Sequence, residues 1–334
     1  MPKFLSILFA FSLLIASCQE ENIFEQTPTE RATENVKSLH QQLTTAPHGW
    51  LMTYFPKTDS LLFTNPNVHI GEFEHRDQDY GYGGHNFLMS FKPEGLIEMQ
   101  SDESLQTMVE KKTGEFEVNQ NSSTQISFTT FNYIHRLINE QWNGVSDFLY
   151  VRTDPEGRLW FRTSSYLEVA REYIVLRKIA SQEERDTILS NAYRNRTMFE
   201  EMKNPILTIR QGDKIFFRSN YKIKHVRGKI SQSNRYYLFL FNKTPNPIIE
   251  RYPLEMNGLG SGYVGTEKGL TFMTGFRYNK NYIFHDFIRQ ENKFVCELVQ
   301  IYDPIERVEK WVSRHLYPHG RITGVIAEIT EGDQ

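Results

Sequence analysis

Two short turns, each with a proline followed two residues later by a glycine, constrain the fold of this chain more than any other feature. Lys92-Pro93-Glu94-Gly95 separates the segments HNFLMSF and LIEMQ, and Asp154-Pro155-Glu156-Gly157 separates DFLYVRT from RLWFRT. Proline presets the first central dihedral angle of a turn, and glycine accepts the left-handed conformation that closes it. Each pair of segments is therefore predicted to form an antiparallel β-hairpin.

Short apolar or alternating segments of the same kind recur along the chain, and aromatic residues, which favour strands, make up 13% of it. The predicted fold is mainly β with a minor helical part, and its antiparallel sheets form barrel-like or sandwich-like domains. The pattern leaves the choice between barrel and sandwich open. The further predicted strands are EFEV, QISFTTF, EYIVLRKI, ILTIR, KIFFRS, RYYLFLF, GLTFMTGF, NYIFHDFI and KFVCELVQIY.

Two helices are predicted from capping sequences, in which a hydroxyl side chain precedes a glutamate by three residues. Thr27-Pro28-Thr29-Glu30 opens the first helix, and Ser181-Gln182-Glu183-Glu184 opens the second. A run of strands follows each helix. We therefore predict two domains, residues 27–180 and residues 181–334, each consisting of one helix followed by β-sheet.

The amino terminus has the features of a bacterial lipoprotein signal. Lys3 precedes an apolar run from Phe4 to Leu14, which is too short for a membrane span of roughly 20 residues, and small residues then lead to Cys18. This arrangement resembles a lipobox. The resemblance implies that residues 1–17 are a signal peptide, that Cys18 carries lipid, and that residues 18–26 form a tether. The alternative is an ordinary secretory signal with a chance cysteine.

An acidic pair, Glu20 and Glu21, follows Cys18 closely and resembles the surface-export signal of Bacteroidota lipoproteins. The predicted location is the outer membrane, with the protein anchored through the lipid on Cys18 and facing the cell exterior; an inward-facing lipoprotein is the alternative. The chain has 38 basic and 41 acidic residues and a net charge of −3. This balance predicts no nucleic-acid partner.

No local motif in the sequence predicts catalysis. The sequence contains no H-E-x-x-H and no G-x-S-x-G, and the glycine-rich stretch DYGYGGHNF lacks the Lys-Ser/Thr of a phosphate-binding loop. We therefore predict no catalytic residue, no metal and no cofactor. The same stretch, with Asp79, Tyr80, Tyr82 and His85, is our first choice for a ligand-binding loop.

Aromatic residues are the other ligand candidates. Trp50, Trp142 and Trp160 can provide flat surfaces on which a sugar or another small ligand stacks. The alternative for each is a place in the apolar core, where most aromatic side chains of strands lie.

The first half of the chain resembles a known family. The ordered features TPTER, APHGW, TYFP, YGYGGHNFLMSF, IEMQSD, GEFEV and ISFTTFNYIHRL are similar to those of Bacteroidota lipoproteins catalogued as domain of unknown function 4302. The resemblance covers roughly residues 24–179 and does not extend to the second half. It implies an accessory role beside outer-membrane import proteins of the SusC/SusD type, and it implies no catalytic residue.

These observations predict a surface lipoprotein that acts as a non-catalytic binding or accessory component of a nutrient import system. Its ligand, a glycan or another small molecule, is not specified by the sequence. Two alternatives remain open: a surface hydrolase that trims a glycan or peptide, and a structural subunit of the import complex.

Replacing Cys18 with alanine tests the lipid anchor. We expect the wild-type protein to incorporate radiolabelled palmitate and to fractionate with the outer membrane. The variant should incorporate no label, because the sulfur that accepts the lipid is absent. A variant that remains on the membrane, with neither form labelled, would contradict the lipobox interpretation.

Overall fold

The computed structural model describes residues 27–56, 83–138, 144–163, 173–224, 237–241, 258–278, 281–304 and 307–332. These residues form a mainly β protein with antiparallel sheets, which confirms the predicted fold class. None of the described helices is long and apolar enough to span a membrane. The helices are α1 (Pro28–Thr44), α2 (Leu105–Val109), α3 (Gln182–Glu201) and a 3-10 helix (Tyr133–Leu137).

The strands follow one another along the chain in two groups, separated by α3. The first group is β1 (Trp50–Phe55), β2 (His85–Phe91), β3 (Leu96–Ser101), β4 (Lys112–Gln120), β5 (Thr124–Phe128), β6 (Asp147–Thr153), β7 (Leu159–Thr163) and β8 (Tyr173–Lys178). The second group is β9 (Pro205–Gln211), β10 (Lys214–Lys224), β11 (Tyr237–Phe241), β12 (Gly258–Ser261), β13 (Tyr263–Gly265), β14 (Gly269–Arg277), β15 (Ile283–Gln290), β16 (Lys293–Asp303), β17 (Val308–Ser313) and β18 (Arg321–Glu331).

Strands β1 to β8 form a closed barrel in which each strand pairs with the next. The ring closes because β8 pairs antiparallel with β1, with Trp50 opposite Lys178. Both Pro-x-Gly hairpins are present, as β2–β3 and β6–β7. Gly95 and Gly157 close their turns with φ angles of 85° and 76°. The structure therefore confirms the two hairpins and decides for a barrel in this half.

Apolar side chains fill the barrel, and helices cover both of its ends. Trp50 is fully buried, and its indole N–H donates to the Leu43 carbonyl of α1 at 2.9 Å. Further along β1, the Tyr54 hydroxyl accepts a hydrogen bond from the Val145 amide at 3.0 Å, near the buried Leu137 of the 3-10 helix. Since β1 runs from one end of the barrel to the other, α1 and the 3-10 helix lie at opposite ends.

The predicted capping box is complete at the start of α1 and only partly formed at the start of α3. At α1 the Glu30 amide donates to the Thr27 hydroxyl at 3.2 Å, and the Glu30 carboxylate accepts from the Thr27 amide at 2.8 Å. At α3 the Glu184 amide donates to the Ser181 hydroxyl at 3.1 Å. The Glu184 carboxylate accepts instead from the Ala180 amide at 2.7 Å. The predicted capping box of α3 is therefore only half formed.

Strands β9 to β18 form a second antiparallel sheet, here called the C-terminal sheet. Its strand connections resemble those of the barrel. Its order is β12-β11-β10-β9-β18-β16-β15-β14-β13, and β17 pairs with β16 outside this path. The terminal strands of that order, β12 and β13, are joined in the chain by Gly262 alone, and β12 also contacts β14. The last strand, β18, pairs back with the first, β9, as β8 does with β1. Each half is thus a helix followed by an up-and-down set of strands.

Helix α3 packs against both halves of the molecule. Towards its amino end, Ile188 and Leu189 are buried against Leu88 on the outer wall of the barrel. Towards its carboxyl end, Phe199 is buried in the core of the C-terminal sheet, and its ring meets that of Tyr263 edge-on at a centroid distance of 4.9 Å. Because the helix buries apolar residues on two sides, its position is fixed relative to both sheets.

A buried polar network, which we call the junction network, reinforces this packing. Asp102 is fully buried and accepts two hydrogen bonds from Asn86, from the backbone amide and from the side-chain amide, each at 3.0 Å. The Asn86 side chain also donates to the Gly265 carbonyl at 2.8 Å. From α3, Arg196 donates to the Asp102 carbonyl at 3.1 Å and lies 3.7 Å from its carboxylate. The network therefore connects the barrel, α3 and the C-terminal sheet.

The approach of α3 to the C-terminal sheet requires a glycine. A Cβ atom at Gly265 would lie 2.1 Å from the carbonyl oxygen of Ala192, a distance that real Cβ atoms do not adopt. Immediately beyond, the Asn195 side chain donates to the carbonyls of Thr266 and Glu267 at 2.9 and 3.1 Å. A larger residue at position 265 would push α3 away and strain these bonds.

Replacing Asp102 with alanine tests the junction network. We expect the free energy of unfolding to fall by about 3–5 kcal/mol, because the buried Arg196 guanidinium would lose the carboxylate that lies 3.7 Å away and balances its charge. The neighbouring Glu103 is the control, since it is exposed and pairs with Arg136 at 2.7 Å. Glu103→Ala should cost less than about 1 kcal/mol. Equal losses in urea denaturation would contradict this account.

Candidate functional site

Strand directions place α3 at one end of the C-terminal sheet and a set of turns at the other end. The β13–β14 hairpin touches α3 through Asn195. β14 then leads away from the helix to a turn, where the Tyr278 amide donates to the Tyr282 carbonyl at 2.9 Å. β9 likewise begins just after α3 and runs to a turn at Gly212. We call the end of the sheet away from α3 the distal end.

Four partly exposed aromatic side chains, which we call the aromatic cluster, meet at the distal end: Phe216, Tyr278, Tyr282 and Trp311. The Phe216 ring lies within 15° of parallel to Tyr278 and 19° to Tyr282, with centroids 5.8 and 6.3 Å away. The Tyr282 and Trp311 rings meet at 64°, with centroids 6.2 Å apart. The Phe216, Tyr278 and Tyr282 rings are therefore nearly parallel, and the Trp311 indole is steeply inclined to the Tyr282 ring.

The local backbone explains how these side chains come together. Tyr278 and Tyr282 flank the turn between β14 and β15. Phe216 follows the β9–β10 turn at a register shift between Ile215 and Phe217. The shift changes the alternation of the strand, so Phe217 is buried in the core while Phe216 joins the cluster. Such bulges commonly redirect a side chain next to a binding site.

Three polar side chains, which we call the polar triad, lie beside the cluster: Gln300, Glu309 and Arg321. Gln300 is directly opposite Trp311 on β17 and opposite Arg321 on β18, so these side chains share one face of the sheet. The Gln300 side-chain amide donates to the Glu309 carboxylate, and the Arg321 guanidinium donates to the Gln300 side-chain oxygen. Gln300 is buried, whereas Glu309 and Arg321 are exposed.

The distal end combines apolar ring surface with hydrogen-bonding groups of both kinds. Glu309 is an acceptor, Arg321 is a donor, and the Gln300 amide is both. A positive charge lies at the edge of the site, because the Lys214 ammonium is 5.6 Å from the centre of the Phe216 ring. Ligand sites commonly combine aromatic walls with a few convergent polar groups, including at the mouths of β-barrels. This arrangement can hold a small ligand that has an apolar face and a polar rim.

Exposed apolar side chains surround the same region. The large exposed apolar residues that the structure describes in the C-terminal sheet and its turns are Ile215, Tyr302, Val308, Leu316, Tyr317 and Ile322. They lie on β10, β16, β17, β18 and the segment that follows β17, in the half of the sheet away from α3. Contiguous exposed apolar surface is characteristic of interaction sites.

A concave region of about 680 Å³ lies along α3 between the two halves. Met108 of α2, Tyr193 and Met198 of α3, and Arg289 line part of it. Both of its arginines bond to α3: Arg289 donates to the Asn195 side-chain oxygen at 3.2 Å, and Arg194 donates to the Asn191 side-chain oxygen at 3.3 Å. These groups stabilise the junction of the halves, so we favour the distal end as the ligand site.

Five of the residues singled out from the sequence lie outside the described residues, and their predicted roles stay predictions. They are the lipidation site Cys18 and the ligand candidates Asp79, Tyr80, Tyr82 and Trp142.

Two other ligand candidates, Trp50 and His85, lie in the barrel. Trp50 is fully buried in the barrel core and bonded to α1. His85 begins β2 opposite Tyr54 and is 4% exposed, next to Asn86 of the junction network. The structure therefore gives Trp50 a packing role and places His85 near the junction of the two halves, away from the distal end.

The remaining candidate, Trp160, belongs to a turn that is held together by a carboxylate. Its indole N–H donates to Asp154 at 2.8 Å, and the Arg152 guanidinium lies 4.8 Å from its ring centre. Asp154 also accepts from the Arg158 side chain at 2.6 Å. Burial opposes ionisation of Asp154, but hydrogen bonds from Trp160 and from Arg158 outweigh it and lower the pKa of this carboxyl to about 2.

None of the ligand residues predicted from the sequence lies at the distal end, although the sequence contains signals for that site. Trp311 lies on β17, whose sequence VEKWVS is not among the predicted strands. The stretch Tyr278-Asn279-Lys280-Asn281-Tyr282 has the asparagines of a turn, which could have placed both tyrosines at one end of a sheet. Among the described residues, no group of three or more His, Cys, Asp or Glu side chains is arranged to hold a metal ion.

The family described as Domain of unknown function (DUF4302) matches residues 20–291. The match extends beyond the residues 24–179 expected from the sequence and reaches the end of β15. Three members of the aromatic cluster lie within the match, whereas Trp311 and the polar triad lie beyond it. No curated protein and no solved structure matches the chain.

Replacing Asp154 with asparagine tests the turn that contains Trp160. The folded-state pKa lies below the unfolded value near 3.9, so the charged carboxylate stabilises the fold above about pH 4, and this contribution is lost as the pH falls through about 2. We expect Asp154→Asn to lower the free energy of unfolding by about 2 kcal/mol at neutral pH. The difference from wild type should disappear near pH 2.

The control for this prediction is Glu156→Gln in the same turn. Glu156 is exposed and lies 3.1 Å from Arg158, so its removal should cost less than about 1 kcal/mol. A pH-independent difference between Asp154→Asn and wild type, measured by chemical denaturation, would show that the charge has no stabilising role.

Proposed function

We propose that this chain, which belongs to the family described as Domain of unknown function (DUF4302), is a lipid-anchored surface protein that binds a ligand without transforming it. In this proposal it is an accessory component of an outer-membrane nutrient import system. The lipobox-like segment ending at Cys18 and the acidic pair Glu20 and Glu21 support the location. The resemblance of the first half to lipoproteins of import systems supports the accessory role.

The observation that carries the binding proposal is the aromatic cluster. Apolar rings are normally buried, because removing their surface from water is favourable. The barrel follows this rule: its interior aromatics Trp50, Phe87 and Phe161 are essentially inaccessible, and helices cover both ends. At the distal end of the C-terminal sheet, by contrast, Tyr282 and Trp311 remain partly exposed beside a polar triad. A ligand that stacks on these rings would complete their burial.

The tether allows such a ligand site to stand away from the membrane. Nine positions separate Cys18 from Thr27, the cap of α1, and a fully extended chain of that length spans at most about 30 Å. The protein body is therefore able to reach ligands beyond the lipid surface. This freedom suits a protein that captures a nutrient and passes it to an importer.

A second candidate function is a structural subunit of the import complex. The exposed apolar residues around the distal end, such as Tyr302 and Ile322, favour this reading, because a protein partner could cover them. The two functions differ in what Trp311 contacts, a small ligand or a protein.

Ligand binding is testable with the full-length lipoprotein in detergent micelles. We expect at least one fraction of a nutrient digest, containing oligosaccharides, peptides or haemin, to raise the melting temperature, because a ligand at a hundredfold excess over its Kd stabilises a protein by about 3 kcal/mol. The ligand should be recovered chemically unchanged. The shift should be lost in Trp311→Ala.

The control is Phe131→Ala, which removes an exposed aromatic ring of the other half that contacts Lys112. This variant should keep the full shift. Conversion of the ligand into products would support a hydrolase instead. If no fraction shifts the melting temperature while Trp311→Ala releases the protein from a membrane complex, the chain is a structural subunit.

A further inference from the structure

We infer that the ligand of the distal end is a neutral oligosaccharide, with a sugar ring stacked on the aromatic cluster and its hydroxyl groups bonded to the polar triad. This inference rests on the proposed binding function and specifies the ligand class. It comes from the combination of ring surface and mixed hydrogen-bonding groups on one face of the sheet.

The aromatic cluster fits the apolar face of a sugar ring. A pyranose presents carbon-bound hydrogens on its faces and hydroxyl groups around its edge, so one side can pack on an aromatic ring while the edge stays polar. Phe216 and Tyr282 provide rings of nearly one orientation, and Trp311 stands at 64° to Tyr282. Two aromatic walls at this angle can contact one sugar ring or two successive rings of a chain.

The polar triad fits the hydroxyl groups at the edge of the sugar. Each hydroxyl both donates and accepts, and therefore matches a site that offers acceptors and donors together. The Glu309 carboxylate has about four acceptor positions and the Arg321 guanidinium has five donors. Within the described part of the chain, each of them bonds to the buried Gln300 that lies between them. Both charged groups are exposed, so they can reach a ligand that covers Trp311.

The same groups disfavour the other ligand classes. An anionic ligand attracted by Arg321 or Lys214 would also meet the Glu309 carboxylate, and repulsion between these like charges would weaken its binding. A flat, wholly apolar ligand on the cluster would remove water from Glu309 and Arg321 without giving them partners, which costs free energy. A neutral, hydroxyl-rich ligand avoids both penalties.

The positions of these residues in the sheet place the aromatic cluster and the polar triad where one ligand can contact both. Gln300 lies directly opposite Trp311, and Glu309 is two residues from Trp311 on the same strand. Their side chains therefore lie next to each other on one face, at the spacing of neighbouring residues in a sheet. A sugar on the indole would have its edge beside the triad.

Isothermal calorimetry with the full-length lipoprotein in detergent micelles tests the inference. The probes are neutral oligosaccharides of glucose, mannose, galactose and xylose, an oligogalacturonate, haemin, and tryptic peptides. We expect a neutral oligosaccharide to bind, and we expect Trp311→Ala and Glu309→Gln each to weaken that binding by about tenfold or more. Glu309→Gln has the size of the native residue, so it tests the carboxylate even if Trp311→Ala fails to fold.

Matched controls and three other outcomes make the test decisive. Phe131→Ala, in the barrel half, should bind with wild-type affinity. Binding of oligogalacturonate, haemin or peptide that depends on Trp311 would overturn the sugar inference and leave the proposed binding function intact. Neutral sugar binding that neither Trp311→Ala nor Glu309→Gln changes would overturn the assignment to this site. Absence of binding by every probe would overturn both the sugar inference and the proposed function.

Discussion

The buried contact between Asp102 and Arg196 is the interaction on which the arrangement of the two halves depends. Two charges removed from water are tolerated only when they are paired and hydrogen-bonded, and here the Asn86 amides satisfy the carboxylate on the barrel side. The same Asn86 side chain reaches the Gly265 carbonyl of the C-terminal sheet. Hydrogen bonds are directional, whereas apolar packing is not. These bonds therefore specify the position of α3 more closely than apolar packing alone would. With α3 fixed, the helix covers one end of the C-terminal sheet, and the aromatic cluster and polar triad lie at the distal end.

The two halves have a similar architecture, and they differ in what lies at their ends. Each is a helix followed by antiparallel strands, most of which pair with the next strand in the sequence, and the last strand pairs with the first. In the barrel, α1 and the 3-10 helix fill both ends around Trp50 and Tyr54. In the C-terminal sheet, α3 covers one end, and the aromatic cluster and polar triad occupy the other. The additional strand β17 supplies Trp311 and Glu309 to that end. The half with the extra strand therefore carries the candidate site.

Local signals in the sequence predicted the local structure well and the site poorly. The turns at Gly95 and Gly157 and the cap at Thr27 depend on a few adjacent residues, so the sequence is sufficient to predict them. The capping box predicted at Ser181 forms only in part. The Glu184 carboxylate binds Arg177 and the Ala180 amide, which belong to the preceding segment, instead of the Ser181 amide. The distal end joins residues from β10, from the β14–β15 turn and from β16 to β18, more than 100 positions apart. Strand register, which no short pattern specifies, brings Gln300 opposite Trp311.

Hydrogen–deuterium exchange of the full chain, with and without a mixture of neutral oligosaccharides, tests the location of the binding site most directly. Each backbone amide reports its own surroundings, so the measurement does not depend on a substitution that could disturb folding. We expect slower exchange in residues 214–218, 281–284 and 308–313 when the sugars are present, with no change in the barrel strands β1 and β2. Protection confined to the barrel, or to α3 and the concave region beside it, would contradict the assignment of the ligand site to the distal end.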